Sequence, residues 1–184
     1  MLCSCDVVNA STRPKGEYSC VTDALAVYEG GKEIADYQFI RDFGSLPKTP
    51  CDPSEFAGWE EETSEDGSSV TFTKDAVLGG FNTKISAGVR NENSKLIAVY
   101  MTFTDDGSGR LYDLCCSMWD ILNDKTGRAY EAGVDGEKMS VKEARELLAN
   151  EGNGHLFYGI WPRNSIKWSV MMKYENGTMI LYFL

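Results

Sequence analysis

The sequence is short of the residues that perform chemistry. His155 is the only histidine. Metal sites and acid–base catalysis both lean on imidazole, so a single one limits both. Basic charge is scarce too: 18 lysines and arginines stand against 28 aspartates and glutamates, a net charge of -10. Reading nucleic acid by its phosphates takes a basic patch, so direct nucleic-acid binding is not expected. The same deficit argues against an anionic membrane surface. No apolar run reaches the ~18 residues that a membrane helix needs, so no transmembrane segment is expected. There is no low-complexity tract and no fixed-period repeat. A glycine-rich phosphate loop is also missing. Gly79-Gly80 lacks the following lysine and helix, and Gly107-x-Gly109 lacks a nucleotide-binding βαβ context.

Cysteine is present, but not in metal-binding order. The six residues sit at 3, 5, 20, 51, 115 and 116, and zinc prefers two close pairs. Cys3, Cys5, Cys20 and Cys51 make a loose four-sulfur alternative; the expectation is no metal and no cofactor. Leu2-Cys3-Ser4-Cys5 resembles the tail of a bacterial lipoprotein cleavage site, with Cys5 as the lipidated residue, although the apolar segment that should precede it is not there. As written, the chain reads as cytoplasmic with reduced thiols. With a leader upstream it reads as a cell-surface lipoprotein, in which Cys20 and Cys51 are the expected disulfide.

At 184 residues, one domain burying ~70% of its unfolded surface is the default. The periodicity is clearest from Thr83 to Asn123. Ile85, Ala87 and Val89 alternate, the chain turns at Asn91 to Ser94, and Ile97, Val99, Met101 and Phe103 alternate on the return. After Asp105 to Gly109 the period becomes helical, with Leu111, Leu114, Cys115, Met118, Ile121 and Leu122 on one stripe. Asn176-Gly177 signals a hairpin that sets Tyr174 opposite Met179, Met172 opposite Leu181 and Val170 opposite Phe183. Ser140 to Glu143 is a capping box opening a second helix. Ala24 to Phe39, divided by Gly30-Gly31, reads as another hairpin, with Glu29 and Lys32 as a cross-strand pair and Val27 facing Ile34. The competing reading there is two short helices, 21–29 and 32–43. The expected fold is α+β: a mostly antiparallel sheet built from hairpins with two helices packed on one face. Residues 1–19 read as a loose arm and 20–184 as the single domain.

Few groups offer chemistry. His155 with Cys115 or Cys116 would make a base and a nucleophile, but helical spacing turns Cys115 inward and leaves Cys116 the better candidate. Asp105, Asp106 and Ser108 loosely suggest calcium, yet a turn and a helix cap explain them without it. What stands out is charge. Glu60, Glu61, Glu62, Glu65 and Asp66 form the most acidic stretch, read as a solvated loop. Trp59 adjoins it, and Trp161 adjoins Arg163, which places both tryptophans as candidate interface anchors.

Three readings follow, in order. The first is a non-enzymatic acidic binding protein, an inhibitor or phosphate mimic, whose protein partner carries a basic surface such as a nucleic-acid groove. Its candidate contacts are Trp59, Glu60, Glu61, Glu62, Glu65, Asp66, Trp161 and Arg163. The second is an exported lipoprotein domain that binds a protein or a small ligand. The third is a small cysteine-dependent enzyme.

Overall fold

The computed structural model describes residues 18–48, 52–151, 154–162, 166 and 168–184. The expected arm therefore falls almost wholly outside the described residues, as do Cys3, Cys5, Cys51 and Arg163.

The strands are β1 (Glu60–Thr63), β2 (Ser69–Leu78), β3 (Phe81–Arg90), β4 (Lys95–Thr104), β5 (Glu131–Val134), β6 (Glu137–Met139), β7 (Phe157–Trp161), β8 (Val170–Glu175) and β9 (Thr178–Phe183). They form one nine-stranded sheet in the order β1-β2-β3-β4-β9-β8-β7-β5-β6, and every neighbouring pair is antiparallel. The helices are α1 (Val21–Glu29), α2 (Tyr37–Gly44), α3 (Arg110–Lys125) and α4 (Val141–Glu151), with a 3-10 turn at Pro53–Phe56. The α+β class holds, with four α-helices rather than two.

Alternation explains the core. Ile85 pairs with Met101, and Ala87 with Val99. Met101 pairs in turn with Leu181 and Leu181 with Met172. All of these are buried on the helix-covered face. The Asn176-Gly177 turn has both residues at positive φ, 45° and 74°, the mirror-image turn that suits the twist of a two-residue hairpin. It delivers the expected register, Tyr174 to Met179, Met172 to Leu181 and Val170 to Phe183. Ile97 departs from expectation. A bulge at Gly88/Val89 sets Leu96 opposite Val89 and Ala98 opposite Gly88. One extra residue shifts the side-chain alternation, so Leu96 is buried and Ile97 is only half-buried.

The hairpin expected between Ala24 and Phe39 is replaced by α1 and α2. Val21, Ala24, Leu25 and Tyr28 recur at helical spacing and are buried, as are Phe39, Ile40 and Phe43. Gly30 ends the first helix instead of turning a hairpin, and Asp36 caps the second through the Gln38 N–H. The proposed pairs dissolve accordingly. Glu29 binds Lys74 at 2.9 Å and Lys32 binds Asp42 at 2.9 Å, while Val27 is exposed and Ile34 buried. The capping box is present: Glu143 N–H donates to Ser140 Oγ at 3.2 Å, and Ser140 N–H to Glu143 Oε2 at 3.1 Å. On α3, Ile121, expected on the buried stripe, is half-buried, while Trp119 is fully buried.

Burial makes the fold sensitive to alkali. It pushes the Tyr28 hydroxyl up, reinforced by the bond to Asp42, and also raises the Cys115 and Cys116 thiols. Tyr112 is pushed up to about 12 by the same cause. A group raised in the folded state keeps its proton where the unfolded chain has lost it, so its stabilisation is full below the unfolded pKa and disappears above it. With ordinary thiols near ~8.5 and phenols near ~10, the urea midpoint is expected to fall between about pH 9 and pH 11. A midpoint unchanged to pH 11 would contradict the buried placement of these groups.

Candidate functional site

The acidic stretch is only partly a loop: Glu65 and Asp66 lie in the turn between β1 and β2. Glu60, Glu61 and Glu62 lie on β1, an edge strand whose four residues are all exposed. β1 pairs only with β2, in the register Glu60 to Thr73, Glu61 to Phe72, Glu62 to Thr71. Side chains alternate across a strand. Phe72 faces the helix side, where it stacks on Phe56 at 4.5 Å, so Glu61 is directed to that side. Glu60 and Glu62 sit on the open face beside Thr73 and Thr71.

The edge is built up from its two ends. Trp59 is half-buried and meets the Phe56 ring edge-on at 5.3 Å. It fastens the start of β1 to the 3-10 turn, so much of its ring is spent on its own chain. At the other end, Asp66 organises the turn into β2. Its Oδ1 accepts from Ser64 Oγ at 2.8 Å and from the Ser68 N–H at 3.0 Å. These bonds, the Ser68 N–H first, hold its carboxyl down at about 2. Asn91, in the β3–β4 turn, donates its amide to the Gly67 carbonyl at 2.8 Å. The tip is thereby tied to the neighbouring hairpin.

Between those ends the charges are left to solvent. Among the described residues, Glu60, Glu61, Glu62 and Glu65 take part in no ion pair and no side-chain hydrogen bond. Consecutive glutamates on a sheet edge repel a like strand, which guards the edge against self-pairing. The same arrangement attracts a strand or surface of opposite sign.

The other expected site residues disperse. Trp161 does not reach a surface: it is fully buried, crosses Trp119 at 5.2 Å in a T-shaped contact, and donates its indole N–H to Asn123 Oδ1 at 2.9 Å. It lies on the face of β7 that packs against Trp119 of α3, which is why its position beside Arg163 in sequence was misleading. Arg163 itself lies outside the described residues.

The histidine–thiol pairing finds no support in the geometry of its members. His155 Nδ1 lies 2.6 Å from Asp135 Oδ2, and the other oxygen of Asp135 accepts the Leu156 N–H at 2.8 Å. Cys115 is fully buried and its thiol is pushed up by burial, as is that of half-buried Cys116. A raised thiol is the opposite of an activated nucleophile. The partner of His155 is a residue that sequence reasoning passed over. Asp135 precedes Gly136, a pair that signals a turn, but nothing local ties that turn to a histidine twenty positions later. Asp105 and Asp106 are engaged as loop acceptors, Asp105 from the Gly109 N–H at 3.1 Å and Asp106 from the Ser108 N–H at 3.0 Å, with Arg110 also on Asp106 at 3.1 Å. Among the described residues there is no group of three or more potential metal ligands, and no helix long and apolar enough to cross a membrane. Compared with protein-family models, curated proteins and solved structures, the chain matches none of them.

Proposed function

We propose that this chain is a non-enzymatic acidic binding protein that presents the β1 edge and its turn to a protein with a basic surface. The observation that carries the reading is the set of unpaired carboxylates at Glu60, Glu61, Glu62 and Glu65 beside Asp66. A strand advances ~3.4 Å per residue. Three successive glutamates therefore carry about one charge per 3.4 Å, alternating in side, close to the axial spacing of phosphates along one DNA strand, ~3.4 Å. A groove that holds nucleic acid is one basic surface that such an edge would occlude. Binding of this kind needs shape and charge but no reacting group, in keeping with the raised thiols of Cys115 and Cys116 and a histidine held by Asp135.

The test compares the wild-type chain with one carrying Glu60→Gln, Glu61→Gln, Glu62→Gln, Glu65→Gln and Asp66→Asn. Immobilised, the wild type should retain basic proteins at low salt and release them at high salt, because exposed charge pairs are screened within ~10 Å at 0.1 M. The substituted chain should retain at least ~10-fold less. Retention that ignores both salt and the five substitutions would dispose of the reading.

A further inference from the structure

The sheet has a second face that none of the described helices covers. Its side chains follow from the pairing register. One continuous cross-strand row runs Thr73, Ser86, Tyr100, Tyr182, Met171, Ile160 from β2 to β7. The next row places Ile180, Lys173 and Tyr158 side by side. From Tyr100 across to Tyr158 these residues are half-buried, with no layer over them among the described residues. Tyr100 and Tyr182 rings lie 5.9 Å apart, and Lys173 Nζ lies 5.7 Å from the centre of the Tyr182 ring, its stem laid along the face.

Charge on this face is distributed unlike the rest of the molecule. Lys84, Arg90, Lys95, Lys138 and Lys173 occupy its positions. They are matched one for one by Glu60, Glu62, Asp75, Glu131 and Glu175. The face is neutral, although the chain as a whole carries -10. Apart from Lys173, the charged residues lie around the tyrosine, methionine and isoleucine centre rather than within it. A core of three tyrosines, two isoleucines and Met171, charged only at Lys173 and set inside a charged rim, has the composition of a protein–protein interface.

We propose that this face docks against the same face of a second copy, giving a two-layer sandwich of sheets. A chain of net charge -10 repels its own copies over most of its surface. Self-association is favoured only where charge cancels, and the open face is that place. A basic partner, by contrast, gains nothing from a neutral surface. A self-complementary interface also requires both signs of charge on one patch, because the same patch meets itself. Two sheets packed in this way stand ~10 Å apart with interleaved side chains, a gap that tyrosines, Met171 and Ile180 are long enough to fill.

The test is the mass of the full chain in solution by sedimentation equilibrium across a concentration series. Wild type is expected at twice 20.4 kDa at high concentration, with dimerisation strengthened by added salt as self-repulsion is screened. Tyr182→Glu and Met171→Glu, on adjacent strands and both half-exposed, should each weaken the dimer at least ~10-fold while melting as cooperatively as wild type. Tyr182→Phe should leave it intact. A wild type that stays monomeric throughout the series, or a dimer indifferent to both glutamate variants, overturns the proposal. Glu60 and Glu62 belong to both surfaces, but the opposite salt responses and the different residues substituted keep this result distinct from the fate of the acidic edge.

Discussion

Deleting Ile180 to Leu184 should leave no cooperatively melting protein. β9 is not an edge: it lies between β4 and β8 and joins β1–β4, contiguous in sequence, to the half made of β5–β8. Val99 to Thr104 pair along one side of it and Val170 to Glu175 along the other. Ser169 and Leu184 add two reciprocal backbone bonds, 3.0 and 2.9 Å. Leu181 and Phe183 are fully buried, and Phe183 meets Phe43 of α2 at 6.0 Å. Losing a buried leucine costs about 2–5 kcal/mol and a buried phenylalanine about 3–5. Those two side chains alone come to about 5–10 kcal/mol, against a total stability of about 5–15 for a typical domain. The severed ladders on both sides add to that loss. Circular dichroism on heating is the measurement. A soluble deletion variant with a sharp transition would show that the two halves of the sheet hold without β9.

The sequence was most legible where one local signal fixed both type and register. Asn176-Gly177 predicted three cross-strand pairs because a two-residue turn leaves no freedom in the pairing, and all three occur. Ser140 and Glu143 predicted a helix start because the box satisfies two orphan donors at once, and both bonds form. The failures share a cause: each depended on a distant contact. Gly30-Gly31 is compatible with a hairpin turn and with a helix end. What decides is that Leu25, Tyr28, Phe39 and Phe43 have a sheet to cover, and Tyr28 meets Phe39 at 4.9 Å. The bulge that turns Ile97 aside and buries Leu96 lies at Gly88/Val89, across the hairpin from both.

The candidate site was half legible in the same sense. Its charge was plain in the sequence. That the glutamates lie on an edge strand was not, because three successive glutamates have poor strand propensity. β1 forms through its neighbours instead. Phe72 stacks on Phe56, Trp59 caps that stack, and Asn91 pins the turn. Trp161 failed as an anchor for a related reason: adjacency to a charged residue says nothing about which side of a strand a ring occupies. The open face was partly foreseeable. The hairpin register already set Met171 beside Tyr182 and Lys173 beside Ile180, but only the full strand order extends that pair of strands to Tyr100 and Ile160.

Asp42→Ala is expected to be the most damaging single substitution of a polar residue. Asp42 is 1% exposed, on α2 between Ile40 and Phe43. A carboxylate that deep must be compensated, and three donors converge on it. Tyr28 Oη donates to Oδ2 at 2.7 Å, Lys32 Nζ to the same oxygen at 2.9 Å, and the Gln38 amide to Oδ1. Lys32 also lies 4.7 Å from the centre of the Tyr28 ring. The cluster bolts α1 and the chain after it to α2 by charge and hydrogen bonds where aromatic packing alone would permit sliding. Removing one member of a buried pair costs about 3–5 kcal/mol, since the partners are left unpaired. Lys32 is about a third exposed, 35%, and can turn to water, so the loss should lie near ~3 kcal/mol, or roughly 6–12 °C in Tm for a domain of this size. Asp42→Asn keeps shape and one acceptor while losing charge, and should cost about 1–2 kcal/mol. Lys32→Met strands a buried carboxylate that still accepts from Tyr28 and Gln38, so it too should destabilise, by less than Asp42→Ala. Urea titration of the three variants gives the order directly. If Asp42→Ala fell within about 0.5 kcal/mol of wild type, the range of an ordinary surface change, the buried pair would not be what fastens the two helices.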